Sequence, residues 1–217
     1  MSWDTDLAAD VSDELYWDPK LDNSEIAVSS DDGRVTLRGT VGSFREKREA
    51  QKAAQRVYGV ISVDNKLDVK LLNDQRRGDA ELRGDVLQAL MLDSLVPSSV
   101  DAKVDDGFVT LTGKANWQYQ RDEAELVASN IVGTLDVADE IELEYPSPEA
   151  GDVKESIKKA MKRNASLDAK GLDVTSDNGT VTIAGTVSSW AEHDEAMEAA
   201  WAAPGVKSVR DRMAVAY

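Results

Sequence analysis

The chain has no cysteine, one histidine, two phenylalanines and five prolines in 217 residues. Without cysteine there is no disulfide, no thiolate nucleophile and no thiolate-bound metal. A single histidine also removes multi-histidine metal centres from consideration. No run approaches the roughly 18 consecutive apolar residues that a membrane-spanning helix needs. Positive charge is scarce too: 25 Lys and Arg stand against 41 Asp and Glu, a net −16. Such a chain is repelled at long range by phosphate backbones and anionic surfaces, so general nucleic-acid binding is disfavoured. The start, Met1-Ser-Trp-Asp-Thr-Asp, lacks the basic-then-apolar pattern of a secretory signal. A cytoplasmic location is the expectation from that pattern.

What the chain does have is a repeat. Val35-Thr-Leu-Arg-Gly39 returns as Val109-Thr-Leu-Thr-Gly113 and as Val181-Thr-Ile-Ala-Gly185. Each is preceded by an Asp-Gly or Asn-Gly pair, at Asp32, Asp106 and Asn178, and followed twenty positions later by Gly59, Gly133 or Gly205. Length alone would suggest one or two domains, but self-similarity at a fixed period overrides it. The reading is three modules, 1–73, 74–148 and 149–217. Their net charges are 10 − 14 = −4, 6 − 16 = −10 and 9 − 11 = −2, so the middle copy is the acidic one. Modules of this size bury modest cores and gain from packing on neighbours. The short polar linkers near Asn73–Gly78 and Pro146–Gly151 predict a fixed arrangement.

Within each module the periodicity switches from helix to strand. Leu7, Val11 and Leu15 recur at i, i+4 and i+8, as do Leu82, Val86 and Leu90, and Val153, Ile157 and Met161. Each set makes one apolar stripe on a helix. Alternating residues then predict two strands joined at the Asp-Gly or Asn-Gly pair, which suits a type I′ hairpin. Gly39, Gly113 and Gly185 are read as ending the second strand. Ser43 with Glu46 and Ser189 with Glu192 fit the capping box of a second helix; Asn116 is the expected cap in the middle copy. Ala50, Ala124 and Ala196 let that helix lie close to the sheet, and Gly59, Gly133 and Gly205 are read as its C′ stop. A last alternating strand, after a helical crossover, is expected parallel to the one before it. The fold class is therefore α+β: three tandem α-β-β-α-β modules, each with two helices packed on a three-stranded mixed sheet.

This pattern resembles the BON domain, named for bacterial osmotic-stress and nodulation proteins. The resemblance rests on Leu15-Tyr-Trp-Asp-Pro19, Ile26-Ala-Val28, Asp32-Gly-Arg-Val-Thr-Leu-Arg-Gly39, Ala50 and Val57-Tyr-Gly-Val60, and spans the chain as three copies. The second and third copies lack the Trp-Asp-Pro element, with Met91 and Arg163 read as aligned to Trp17. The resemblance implies a non-enzymatic protein of osmotic or envelope stress, contacting envelope phospholipid or protein partners. Family members are often periplasmic or envelope-associated. The alternative it implies is a sensor of potassium or another small ligand.

The candidate partner-binding residues are Trp17 and Trp201, with Arg45, Arg48 and Lys52 on the first module's second helix and Lys158 and Lys162 on the third module's first helix. A tryptophan beside a cationic helix suits a lipid headgroup surface, whereas basic helix faces are commonly just solvated. Trp201 aligns with Gln55 and Ser129, so it is read outside the common core, at a seam or in an exposed patch. His193, between Glu192 and Asp194, lacks a constellation and is expected on a solvated helix face. Asp31-Asp32 and Asp105-Asp106 are explained by their turns, and Asp139-Glu140, Glu142 and Glu144 by a solvated strand face. No catalytic residue, metal ligand or bound cofactor is predicted; calcium is disfavoured by the lack of an EF-hand loop, and a weak site of turn carbonyls for a monovalent cation such as potassium is the alternative.

Overall fold

The computed structural model describes residues 3–71, 76–144, 153–164 and 171–216. Asn73 to Gln75 of the first predicted linker, and the whole of Pro146–Gly151, lie outside them. The module is written three times: α1 (Trp3–Trp17), β1 (Ile26–Asp31), β2 (Arg34–Val41), α2 (Phe44–Arg56) and β3 (Ser62–Val69). It recurs as α3 (Asp79–Leu92), β4 (Asp101–Asp105), β5 (Phe108–Ala115), α4 (Gln118–Ser129) and β6 (Asp136–Leu143). The third copy has α5 (Val153–Arg163), β7 (Leu172–Asp177), β8 (Thr180–Val187), α6 (Trp190–Trp201) and β9 (Ser208–Val215). The chain divides into two compact units, Met1–Lys114 with Gln120–Glu142, and Ala115–Tyr119 with Leu143–Tyr217.

Each module has its own sheet, with the second strand in the middle: β1-β2-β3, β4-β5-β6 and β7-β8-β9. β1 pairs antiparallel to β2, Val28 facing Leu37, while β3 runs parallel to β2, Leu37 facing Asn65. β7, β8 and β9 repeat that order and sense. The hairpin turns are as the sequence predicts. Asp32, Asp106 and Asn178 have φ of 47°, 48° and 49°, each followed by a glycine at 75°, 82° or 83°. Two successive positive φ values define the type I′ turn, whose twist matches that of the strands it joins.

The helical stripes meet the sheets. Leu7, Val11 and Leu15 are buried with Val35, Leu37, Val60 and Leu67, and Ala50, Ala53 and Ala54 close the first core. Ile157, Met161, Val174, Val181 and Ile183 form the third, closed by Ala196 and Ala200. Alanine at those positions brings the helix axis near the sheet, where a larger side chain would overfill the gap. Both predicted serine caps are present, with the glutamate reaching one residue further back than the N-cap: Glu46 N–H donates to Ser43 Oγ (3.2 Å), and Gly42 N–H donates to Glu46 Oε2 (2.8 Å). Glu192 N–H donates to Ser189 Oγ at 3.1 Å.

Two glycine readings change. Gly39 does not end β2, which continues to Val41, with Gly39 opposite Ile26 and Leu67. A Cβ there would stand 1.8 Å from the Glu25 carbonyl oxygen, and one at Gly113 2.2 Å from that of Ser99. The glycine serves a close approach of the hairpin's first strand. Nor is Gly59 a C′ stop: α2 ends at Arg56, capped by Val57 in extended conformation. Gly59 (φ 94°) is the third residue of a turn closed by Val60 N–H donating to Val57 O. Thr134 to Ile131 and Val206 to Ala203 close the same turn around Gly133 and Gly205. A positive φ at that third place is the requirement of a type II turn.

Candidate functional site

The first module's leading helix ends in an exposed aromatic pair. Tyr16 and Trp17 are 66 % and 77 % exposed and meet edge-on, with centroids 5.5 Å apart. The next residue turns the chain inward. Asp18 has a side chain only 5 % exposed, and its Oδ1 accepts the Lys20 N–H at 3.1 Å. Its Oδ2 accepts from the Arg56 guanidinium at 2.9 Å, while Arg56 Nε donates to Glu14 at 2.8 Å. The Arg56 hydrogen bond holds the Asp18 carboxyl below the usual carboxylate range, and the same bond raises Arg56. Lys20 Nζ bridges to Glu49 of α2 at 2.9 Å. The backbone next to Trp17 is thereby anchored to the C-terminal half of α2, which also exposes Lys52, one turn before Arg56.

Arg48 and Arg45 go elsewhere. Arg48 reaches from α2 to α4 of the second module, donating to Ser129 Oγ at 2.5 Å and approaching Glu125 at 3.9 Å. Burial at that contact pushes the Glu125 carboxyl up, opposed by the Arg48 charge. Arg45 is exposed and lines a cleft of ≈ 500 Å³ between the two modules. Asp22, Ser43, Glu46, Ser129 and Thr134 also line it, making it rich in oxygen atoms. Asp22 is held below the ordinary range by hydrogen bonds from Ser24.

The third module gathers its candidates less closely. Lys158 is half-buried and Lys162 exposed on α5. Trp201 is half-buried and packs against its own module's core. His193 is not on a solvated face either. Its ring lies 4.9 Å from that of Trp190, Nε2 is 2.7 Å from Asp211 of β9, and Nδ1 is 3.2 Å from Asp194. These carboxylates, Asp194 first, raise its pKa above the ordinary 6.5 against the effect of burial. Asp211 is eighteen residues away, so only the helix-on-sheet packing reveals the partner. Asp139 likewise leaves the solvated strand face expected of it, bridging to Arg121 at 2.7 Å. Among the described residues, no group of three or more acidic or histidine side chains could hold a metal ion. No described helix is long and apolar enough to cross a membrane.

Three modules of one topology, each with the same I′ turn and the same glycine under a neighbouring carbonyl, agree with the sequence profile of the BON domain, which matches residues 4–70, 78–145 and 150–217. The chain belongs to the BON domain family. It is 32 % identical over 143 residues to the osmotically-inducible protein Y of Escherichia coli (strain K12), covering 64 % of this chain and 71 % of that one. Solved structures of a Chlamydia trachomatis type III secretion structural protein, CdsD, are similar at a lower level. One covers 96 % of this chain and 91 % of its own at 13 % identity and TM-score 0.26. The C-terminal domain of that protein covers 98 % of each at 14 % identity and TM-score 0.27.

Aligning the BON modules by their buried stripes corrects one sequence register. Leu15, Leu90 and Met161 are equivalent and buried, so Leu92 stands at the place of Trp17, and Met91 at that of Tyr16. Met91 and Leu92 are 77 % and 75 % exposed. The aspartate is kept: Asp93 Oδ1 accepts the Leu95 N–H at 2.8 Å, as Asp18 does for Lys20. Sequence reading missed this exposed pair because it followed the tryptophan. The recurring Asp two residues before the next loop residue was the available signal.

Proposed function

We propose that this protein is a non-enzymatic binding protein of osmotic or envelope stress whose first BON module contacts a phospholipid surface. The stress association follows from its likeness to an osmotically-inducible protein. The observation that carries the lipid contact is Trp17, 77 % exposed and next in the chain to Asp18, which Arg56 of the cationic helix α2 holds. A tryptophan sits well at the headgroup level, where its ring is half solvated, and neighbouring lysines are drawn to anionic lipid. Lys20 and Arg56 are paired with Glu49, Glu14 and Asp18, so exposed Lys52 carries the attraction to anionic lipid at short range. Co-sedimentation with phosphatidylglycerol-containing vesicles tests the reading. Binding should be present at low salt, weaken at high salt, and fall with Trp17→Ser and with Lys52→Glu. No sedimentation at low salt, or none of these dependences, sinks it.

A second reading has its own observation, the oxygen-lined ≈ 500 Å³ cleft between the first two modules. It would hold a monovalent cation such as potassium among the Asp22 and Glu46 carboxylates and the Ser43, Ser129 and Thr134 hydroxyls. A ligand that binds only the folded chain raises its melting temperature by mass action. The reading requires a larger rise with potassium than with sodium or caesium; equal responses remove it.

A further inference from the structure

The second module carries a larger apolar surface at the same corner, and its chemistry is different. Met91 and Leu92 are joined there by Leu95, 47 % exposed, and by Leu126 of α4, 38 % exposed. The equivalent positions of the first module bring Leu95 to α4. Leu95 matches Lys20 and Glu123 matches Glu49, the pair that touches at 2.9 Å, and Leu126 lies one turn beyond Glu123 on α4. Where the first module has Lys20, Lys52 and Arg56, the second has Leu95, Leu126 and Asn130. The helix surface leading to the corner is low. Gly84, seven residues before Met91 and so on the same face, has nothing within 4 Å of where a Cβ would lie.

The surroundings are acidic. Residues 74–148 carry 6 − 16 = −10, and Asp93, Asp122 and Glu123 belong to the C-cap of α3 and to α4. Arg77 is bound to Glu81 and Asp85, Arg83 to Asp101, and Arg121 to Asp139. An anionic bilayer is repelled by such a module. The chain's own cationic helix α5 is a poor occupant, because its apolar residues Ile157 and Met161 are buried in the third module's core.

We propose that this corner docks the apolar face of a cationic amphipathic helix from a partner protein. Met91, Leu92, Leu95 and Leu126 take up the partner's apolar side chains, Gly84 lets its backbone approach, and the acidic surround steers and orients its cations. The site is separate from the Trp17 corner and does not depend on the lipid reading.

The test uses the full chain and a fluorescent synthetic helix of about five turns, leucine on one face and lysine on the other. Its anisotropy should rise at low salt. Met91→Ser with Leu92→Ser should weaken binding about tenfold or more, as removal of a central apolar anchor does. Trp17→Ser should leave it unchanged, since that side chain is at the other module's corner. Leu95→Lys should weaken the lysine peptide and strengthen its glutamate counterpart. Equal binding of the glutamate peptide by the unaltered chain overturns the proposal, as does indifference to the serine pair. So does a loss of vesicle sedimentation in the serine variant, which would make the corner a lipid surface. A self-association abolished by the same variant would identify a second copy as the occupant and overturn it as well.

Discussion

At the end of its leading helix the first module carries Tyr16-Trp17-Asp18, and the second carries Met91-Leu92-Asp93. In both, the aspartate turns back to accept the N–H two residues on, so the backbone at this corner is the same. The side chains around it are not. Asp18 is locked by Arg56 and flanked by Lys20 and Lys52, whereas Asp93 faces a corner where those cations are replaced by Leu95, Leu126 and Asn130. A repeated fold therefore fixes where a surface is presented, while a few exposed positions choose what it meets. The third module continues the series with Asn164 at the aspartate's place and Lys162 and Arg163 at the pair's.

The most severe way to test that the scaffold is shared is at the glycines inside the second strands. Gly39→Ala and Gly113→Ala would each drive a Cβ into a carbonyl oxygen, at 1.8 Å and 2.2 Å, from a positive φ. Each should cost about 4 kcal/mol or more in denaturant unfolding. A mild effect at either one would break the equivalence. Next comes the aspartate, where the modules should differ. Asp18→Ala should cost about 2 kcal/mol, because a charge-assisted bond to Arg56 is lost; Asp93→Ala should cost about 1 kcal/mol, a single N–H acceptor. The sign with pH sharpens this. Asp18 is depressed below 3.8 when folded, so its contribution is present above that value and is lost as pH falls through the folded one. Asp18→Ala should lack that acid-side loss.

The third module offers the opposite sign. His193 is raised above 6.5, so its contribution is complete below about that pH and disappears as pH rises through the folded value. His193→Gln should flatten this alkaline decline, with a difference below about 1 kcal/mol in urea melts at acid against alkaline pH. The smallest effects belong to the exposed pairs. Trp17→Ser and Met91→Ser should each change stability by no more than about 0.5 kcal/mol, since neither side chain is in a core. A larger loss from either would mean that it packs structurally, and would remove its corner as a docking surface.

The repeat, the element order, the I′ turns and the alanines facing the sheets were legible because each depends on neighbours in sequence. An Asp-Gly pair carries its own backbone preference, and a stripe at i, i+4, i+8 has one side to bury. The glycines misled where their reason was a distant atom. Gly39 read as a strand end, yet it is a strand interior under Glu25; Gly59 read as a helix stop, yet it sits in a turn beyond one. The candidate site was partly legible, since Trp17 stood out by type, while Met91 and Leu92 did not. His193 looked solvated because Asp211 was invisible from its own helix.

Local patterning by itself thus determined that this chain is three α-β-β-α-β modules with buried apolar stripes, for those features follow from short-range sterics and periodicity. Only the tertiary structure decided which charges neutralise one another and which apolar side chains stay in water. Arg56 finds Asp18, Arg48 finds Ser129 and His193 finds Asp211 across 38, 81 and 18 residues, while Trp17, Met91 and Leu92 find no core. Electrostatic and hydrophobic energies depend on separation in space, and at these ranges sequence distance does not supply it.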